Sequence, residues 1–390
     1  MKKTDKKLFD NEAAMQQWIE GVLEHDNMAF EALVSNSLYL ENFRPKGYAE
    51  EKFVESYELA WGALTYVKIL TADRNISLKK MEALRPDFIL YDQEKESIII
   101  VELKNRVQAT REAGTEIGAY AAAIRKYMPL LADSDIVNVI VSSAWPPLLR
   151  HFIFNEVVWL GRSVICMEPW IENGEKRLRI KDIRFFTDTE QAAKIPMDAL
   201  GGHLIGLECL GPQDESLSRY VPRMRLAGMA MARKGTALRS HGFAFLWQTD
   251  NEHVPYCFTL VNAAPLLDLG HLAEQDPPFS PVNAFAKRLH HIVKYYDPGG
   301  HTRSLSLIDK HARIFMNQWC KPSNETYCDW ESLEEDIRAH KVKMLGFYPW
   351  GVFAEAFHRK LAQRISKGQH ATHDDCKTGW KVISDLVASS

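Results

Sequence analysis

The chain has 390 residues, 46% of them hydrophobic and 25% charged, with a formal net charge of -3. That length and apolar content exclude a disordered chain and suit about two domains with cores of their own. The near-balanced charge excludes a uniformly basic nucleic-acid coat, while a local basic surface stays compatible with it. Six cysteines lie far apart with no Cys-x-x-Cys pair, as expected of reduced thiols. The lysine-bearing start is followed by no apolar h-region, and no stretch approaches the roughly 18 apolar residues of a membrane span. The expected location is the cytoplasm, without membrane contact.

Residues 8 to 45 read as helical, with Met15, Trp18, Ile19 and Leu23 spaced at three and four and Asn11 as a cap. A second helix is expected over about 47 to 70. Its apolar stripe runs through Phe53, Tyr57 and Leu64, and Glu51, Glu55 and Glu58 share another face. The pattern then changes to strands. Residues 75–84 form a weak one; "PDFILY" and "IIIVEL" form strong ones, rich in Ile and Val and separated by the polar turn "DQEKES". Residues 109–128 return to helix and end before Pro129, 136–144 read as a strand, 148–161 as a helix, and 162–171 with 176–185 as a hairpin about "ENGE".

The fold class expected is α/β: a mixed sheet flanked by helices over 46–187, preceded by an N-terminal helical segment at 1–45 and followed by an α+β domain at 203–390. Residues from about 187 to 203 read as the boundary. Beyond it come a basic stretch, the strand pair "GFAFLW" and "YCFTLVN", and helices within 281–296, 306–319, 330–342 and 350–365.

The two strong strands raise a chemical question, because each carries acid where a buried strand should have none. A hairpin centred between Glu94 and Lys95 sets Asp87 opposite Glu102, where Cβ atoms lie about 4.5 to 5.5 Å apart. Two carboxylates side by side repel unless something positive sits between them. A divalent cation resolves the conflict, and Mg²⁺ favours a few carboxylate oxygens plus water and phosphate. Alternation along a strand points Lys104 the same way as Glu102 and sends Leu103 to the opposite, apolar face, with its carbonyl available as a further hard ligand.

Pro86-Asp87, fourteen intervening residues and Glu102-Leu103-Lys104 resemble the PD-(D/E)xK nuclease superfamily, and the order of elements over 46–187 is similar to its restriction-endonuclease-like core. The resemblance implies that Asp87 and Glu102 hold Mg²⁺, with Mn²⁺ able to substitute, and that Lys104 positions or activates the attacking water and offsets transition-state charge. It implies a further glutamate from the preceding helix, for which Glu58 or Glu55 is the candidate. The helix after the motif often carries Gln-x-x-x-Tyr in these families; Glu116-x-x-x-Tyr120 stands here instead, which leaves the role of Glu116 open. The other reading of the same residues is an edge hairpin whose charges face solvent, Lys104 guarding against strand pairing.

Between Ser216 and Thr249 the chain has six Lys or Arg residues and no Asp or Glu. Among these, Arg223, Arg225, Arg233 and Lys234 are candidates for phosphate-backbone contact on a helix after Pro222. The expected function is thus a Mg²⁺-dependent phosphodiesterase, foremost a DNA endonuclease of restriction or antiphage defence, the choice between DNA and RNA staying open. A partner protein or small-molecule activator would act through the C-terminal domain, and homodimerisation follows by analogy with nucleases that break both strands. The rival is a non-catalytic nucleic-acid-binding or scaffold protein on a nuclease-like fold.

Overall fold

A computed structural model of the chain describes residues 8–25, 30, 33–78, 83–105, 113–187, 194–209, 217–264, 284–294, 303–324 and 327–388. The chain divides into two compact units, residues 1–193 and 194–390. Among the described residues it is a mixed α/β protein, with a six-stranded sheet in the first unit and, in the second, a sheet of five strands with one short strand added, each flanked by helices. Among the described residues no helix is long and apolar enough to cross a membrane.

In the first unit, α1 (Glu12–His25) starts behind Asn11, whose side chain accepts from the Ala14 amide at 2.8 Å, the N-cap bond expected of an Asn there. Helix α2 (Tyr48–Gly62) ends earlier than its spacing suggests, and the chain enters β1 (Val67–Ala72). The first strand is therefore "VKILTA", whose first four residues fall in the stretch expected to end the helix. Of the expected weak strand at 75–84, residues 75–78 and 83–84 are irregular and 79–82 lie outside the described residues. The apolar residues of 64–70 satisfy a helical and an extended pattern alike, and pairing with the next strand decides between them.

Strands β2 (Phe88–Asp92) and β3 (Ser97–Lys104) form the expected hairpin, pairing Phe88 with Val101 through to Asp92 with Ser97. Helix α3 (Ala113–Tyr127) then crosses over to β4 (Ile136–Ser142), parallel to β3, and α4 (Pro147–Phe154) crosses to β5 (Ser163–Glu172), parallel to β4. A parallel neighbour requires a crossover of this kind, and an antiparallel one needs only a turn. Strand β6 (Glu175–Ile180) returns antiparallel through Asn173 and Gly174, both at positive φ, as a tight two-residue hairpin demands. The strand order is β1-β2-β3-β4-β5-β6.

Every residue of β3 and β4 is buried, as in a central strand covered on both faces. Ile99, Val101 and Leu103 enter one core, shared with Met15 and Ile19 of α1 and Phe53 and Tyr57 of α2. Ile98 and Ile100 enter the other, with Tyr120 and Ile124 of α3. The N-terminal helix thus packs into the same core as the sheet.

The second unit is a three-layer structure about an antiparallel sheet. Its elements are β7 (Leu200–Cys209), α5 (Val221–Ala237), β8 (Gly242–Thr249), β9 (Tyr256–Ala263), α6 (Ala284–Lys294), α7 (Arg303–Met316), β10 (Cys320–Asn324), β11 (Cys328–Asp329), α8 (Trp330–His340), β12 (Lys341–Trp350), α9 (Val352–Ser366) and α10 (Cys376–Leu386). The order is β10-β7-β9-β8-β12, with β11 also on β7. Met224, Ala227 and Met231 of α5 and Ile308 and Ala312 of α7 cover one face. Trp330 and Leu333 of α8, Phe353 and Phe357 of α9 and Val382 and Ile383 of α10 cover the other.

Strand β7 begins inside the expected boundary because "LGGHLIG" looks like a linker. Its glycines serve close approach instead: a Cβ on Gly202 would collide with the Leu260 carbonyl oxygen, and one on Gly201 with the Tyr327 hydroxyl. Gly228 and Gly235, inside α5, make the same room for the rings of Tyr348 and Trp350 on β12, at the cost that glycine carries within a helix.

Candidate active site

The alternation of β3 sets the site. Ile98 and Ile100 face α3, so Glu102 and Lys104 continue that face, and Leu103 turns to the opposite core. Asp87 stands one residue before the first hairpin pair, Phe88 with Val101. Its Oδ2 accepts from the Leu103 amide at 2.7 Å. One step further back the same register would set Pro86 opposite Leu103, and a proline has no N–H for the Leu103 carbonyl. At the end of β3 the backbone ladder to β2 thus gives way to a carboxylate.

Lys104 is 6% exposed and Glu102 2%. The Lys104 ammonium lies 2.5 Å from Glu102 Oε1 and 2.8 Å from Glu116 Oε2. The other oxygen of Glu102 is buried with no hydrogen-bond partner among the described residues. Glu116 stands in the first turn of α3, directly over the end of β3. Tyr120, one turn on, packs in the α3 core and its hydroxyl donates to the Arg85 carbonyl at 3.0 Å. That bond fixes the approach to Asp87.

The charges respond to this crowding. Burial pushes the Glu102 carboxyl up to about 9; the Asp87 charge adds to the rise and Lys104 opposes it. Burial likewise pushes Asp87 up to about 6, against the Leu103 amide and Lys104, with Glu12 and Glu116 adding to the rise. Burial works against the Lys104 ammonium, but Glu102 and Glu116 more than offset it and hold its pKa above the ordinary lysine value. The two partners pull against each other, since a strong ammonium needs an ionised Glu102. The charge count decides the direction: three acids face one ammonium, so Asp87 and Glu102 are raised unless a further cation joins them.

One further acid reaches the site that the sequence reading did not single out. Glu12, at the start of α1, accepts from the Asn105 amide at 3.0 Å, and the Asn105 side chain donates to the Phe9 carbonyl at 2.9 Å. Gln16, one turn later, donates to the Asp87 carbonyl at 3.3 Å. Nothing in the spacing of residues 12 and 105 could have announced this. The only local signal was an acid directly after a cap.

Glu58 and Glu55, the expected helical glutamates, are not brought to this point. Both are exposed. Glu55 pairs with Lys52 at 3.2 Å, and the buried Ser56 between them bonds the Val164 backbone, which seats α2 on β5, two strands from β3. The charges that act on Asp87 beside Lys104 are Glu12 and Glu116.

The donor set suits a hard divalent cation in part. Two carboxylates, one with an unpartnered buried oxygen, and the Leu103 carbonyl are oxygen ligands of the kind Mg²⁺ takes, with water completing its shell. Among the described residues no three His, Cys, Asp or Glu side chains form a ready ligand cluster, so two carboxylates are the protein's main share.

In the second unit, Arg223, Arg225, Arg233 and Lys234 all lie on α5. At about 100° per residue they spread round the exposed half of the helix instead of forming one stripe. Arg225 is engaged, 3.4 Å from Asp374 Oδ2 and 3.2 Å from the Leu345 carbonyl. Arg223 lies over the Tyr220 ring at 5.7 Å. Arg233 is exposed and Lys234 half-buried.

Comparison of the chain with protein-family models, with curated proteins and with solved structures finds no match.

Proposed function

We propose that the first unit is a metal-dependent phosphodiesterase of the PD-(D/E)xK kind, with DNA as its foremost substrate. The observation that carries the reading is the excess of carboxylate at the end of β3: Glu102 and Glu116 pair with one lysine whose charge also acts on Asp87, and a buried oxygen of Glu102 has no partner among the described residues. Such a site is costly as a structural device and becomes sensible once a cation joins it. The order of elements supports the same reading. A helix, three antiparallel strands, a helix and a parallel fourth strand correspond to the restriction-endonuclease-like order implied by the motif.

Asp87, Glu102 and the Leu103 carbonyl would hold Mg²⁺ or Mn²⁺, which supplies a Lewis acid for the phosphate and a more acidic bound water. Lys104 keeps its proton, and its ammonium donates to the water or phosphate oxygen beside Glu102 and offsets charge as it develops. Glu116 holds that ammonium from the far side, and the Asp87–Leu103 hydrogen bond fixes the first carboxylate.

One specific observation favours the non-catalytic alternative: Lys104 is already satisfied by two carboxylates, as a structural ion pair would be. The test is cleavage of plasmid, linear duplex, single-stranded DNA and RNA against titrated Mg²⁺ and Mn²⁺. Cleavage is expected to vanish in EDTA and to be weak in Ca²⁺, whose looser shell positions water poorly. Metal-independent cleavage, or none of any substrate at any metal concentration, would reject the reading.

A further inference from the structure

The second unit contains a cavity of about 340 Å³ between α9 and α10, lined by Lys360, Arg364, Lys367, Lys377 and Lys381 with only Gln and Thr besides. We propose that this cavity binds a small molecule bearing two or more phosphate groups, such as a nucleoside di- or triphosphate.

The cations come from two walls. Lys360 and Arg364 lie at i and i+4 on α9, and Lys367 follows at i+7 as its C-cap, along the flank of the helix beside the buried Phe357 and Leu361. Lys377 and Lys381 lie at i and i+4 on α10. Both spacings put the side chains on one face of their helix.

Two of the cations are spoken for. Lys360 pairs with Asp385. Arg364 is the fixed floor: its guanidinium donates to Asp375 at 2.8 Å, Thr378 Oγ1 at 2.6 Å, Gln369 Oε1 at 3.3 Å and the His370 carbonyl at 3.2 Å. Asp375 also takes the Thr378 amide at 2.7 Å, so the end of α10 is capped already, and the free charge comes from lysines. Lys367, Lys377 and Lys381 have no carboxylate partner among the described residues, and no acid lines the cavity.

Three ammonium groups without a carboxylate partner among the described residues line one concavity and repel one another, and an anion removes that repulsion. Two phosphate groups carry about -3 to -4 at roughly -1.5 to -2 each, which matches the three free lysines. The volume lies within the range of about 300–1,000 Å³ typical of small-ligand pockets. A duplex backbone would instead favour an open stripe of cations.

This inference does not rest on the nuclease reading and stands or falls separately from it. The experiment is calorimetric titration of the full-length protein with ATP and, separately, with inorganic pyrophosphate. Binding of ATP is expected, weakened at least tenfold in the K367A/K377A/K381A protein, whose replaced side chains are exposed, and unchanged in Glu102→Gln. Equal binding of pyrophosphate would identify the phosphates as the recognised part, and tighter binding of ATP would add the nucleoside; both sustain the proposal. No binding of either ligand at ~1 mM, an affinity of only about -4 kcal/mol, or equal binding by the triple variant, overturns it. So does loss of duplex DNA binding in the triple variant when neither small ligand binds the wild type.

Discussion

Removing Lys104 leaves Asp87, Glu102 and Glu116 facing one another without the ammonium that lies 2.5 and 2.8 Å from two of them. Breaking a buried pair from one side costs about 3–5 kcal/mol, so Lys104→Ala should be markedly less stable without metal and regain part of the loss when Mg²⁺ is added. Chemical denaturation with and without Mg²⁺ measures this; a metal-independent loss would mean the carboxylates do not share a cation. Glu102→Gln and Asp87→Asn should each keep the fold and lower cleavage by about 10²–10³, the usual cost of one electrostatic group at a transition state. The pH dependence has a definite sign. The folded state raises Glu102 from 4.5 to about 9 and Asp87 from 3.8 to about 6. Between the unfolded and folded values the native protein binds more protons than the unfolded chain, so these groups make metal-free stability fall as pH rises through about 4 to 9. Glu102→Gln should flatten that slope. Glu116 adds to the rise of both carboxyls, so Glu116→Gln should lower both pKa values and shift the acid limb of the cleavage profile to lower pH. A shift to higher pH would assign Glu116 another role.

Among the elements, α1 and not α2 brings a glutamate to the end of β3. Apolar spacing identified both helices, and the run from Phe88 to Lys104 identified a buried hairpin whose register put Asp87 next to Glu102; these are local patterns of period 3.6 and 2. Which helix end meets the tip of β3 is a long-range fact. It depends on Asn105 reaching both Glu12 and the Phe9 carbonyl and on Ser56 tying α2 to β5. Likewise β7 and β12 escaped notice because their glycines and bulges break the strand pattern: Gly202 makes room for β9, and β12 shifts register twice against β8. This placement can be tested. Glu55→Gln with Glu58→Gln should leave cleavage within about twofold, as surface changes generally do. Glu12→Ala should raise the Mg²⁺ concentration needed for half-maximal cleavage by about 10–100-fold, the usual cost of losing support for metal ligands. A large loss in the double variant would return α2 to the site.

At the scale of the whole molecule, the question is whether the second unit adds affinity for nucleic acid. Its basic helix α5 is less uniform than four cations in sequence suggest, because Arg225 is held by Asp374 and the Leu345 carbonyl. Arg223, Arg233 and Lys234 are then the residues available for phosphate. Each phosphate contact releases counterions, so binding weakens with salt by about one unit of logarithmic slope per contact. Neutralising these three in the full-length protein should weaken binding to every duplex alike and flatten the slope by about three units if all three contact the backbone. Arg225→Ala should act differently: it removes a partner of the buried Asp374 and so should lower stability and leave the salt slope unchanged. Measuring duplex binding at several salt concentrations for both proteins separates the two effects. An unchanged slope in the triple variant would make α5 a solvated face and leave DNA affinity to the first unit. A flattened slope in Arg225→Ala would mean that its pairing with Asp374 yields to phosphate when DNA arrives.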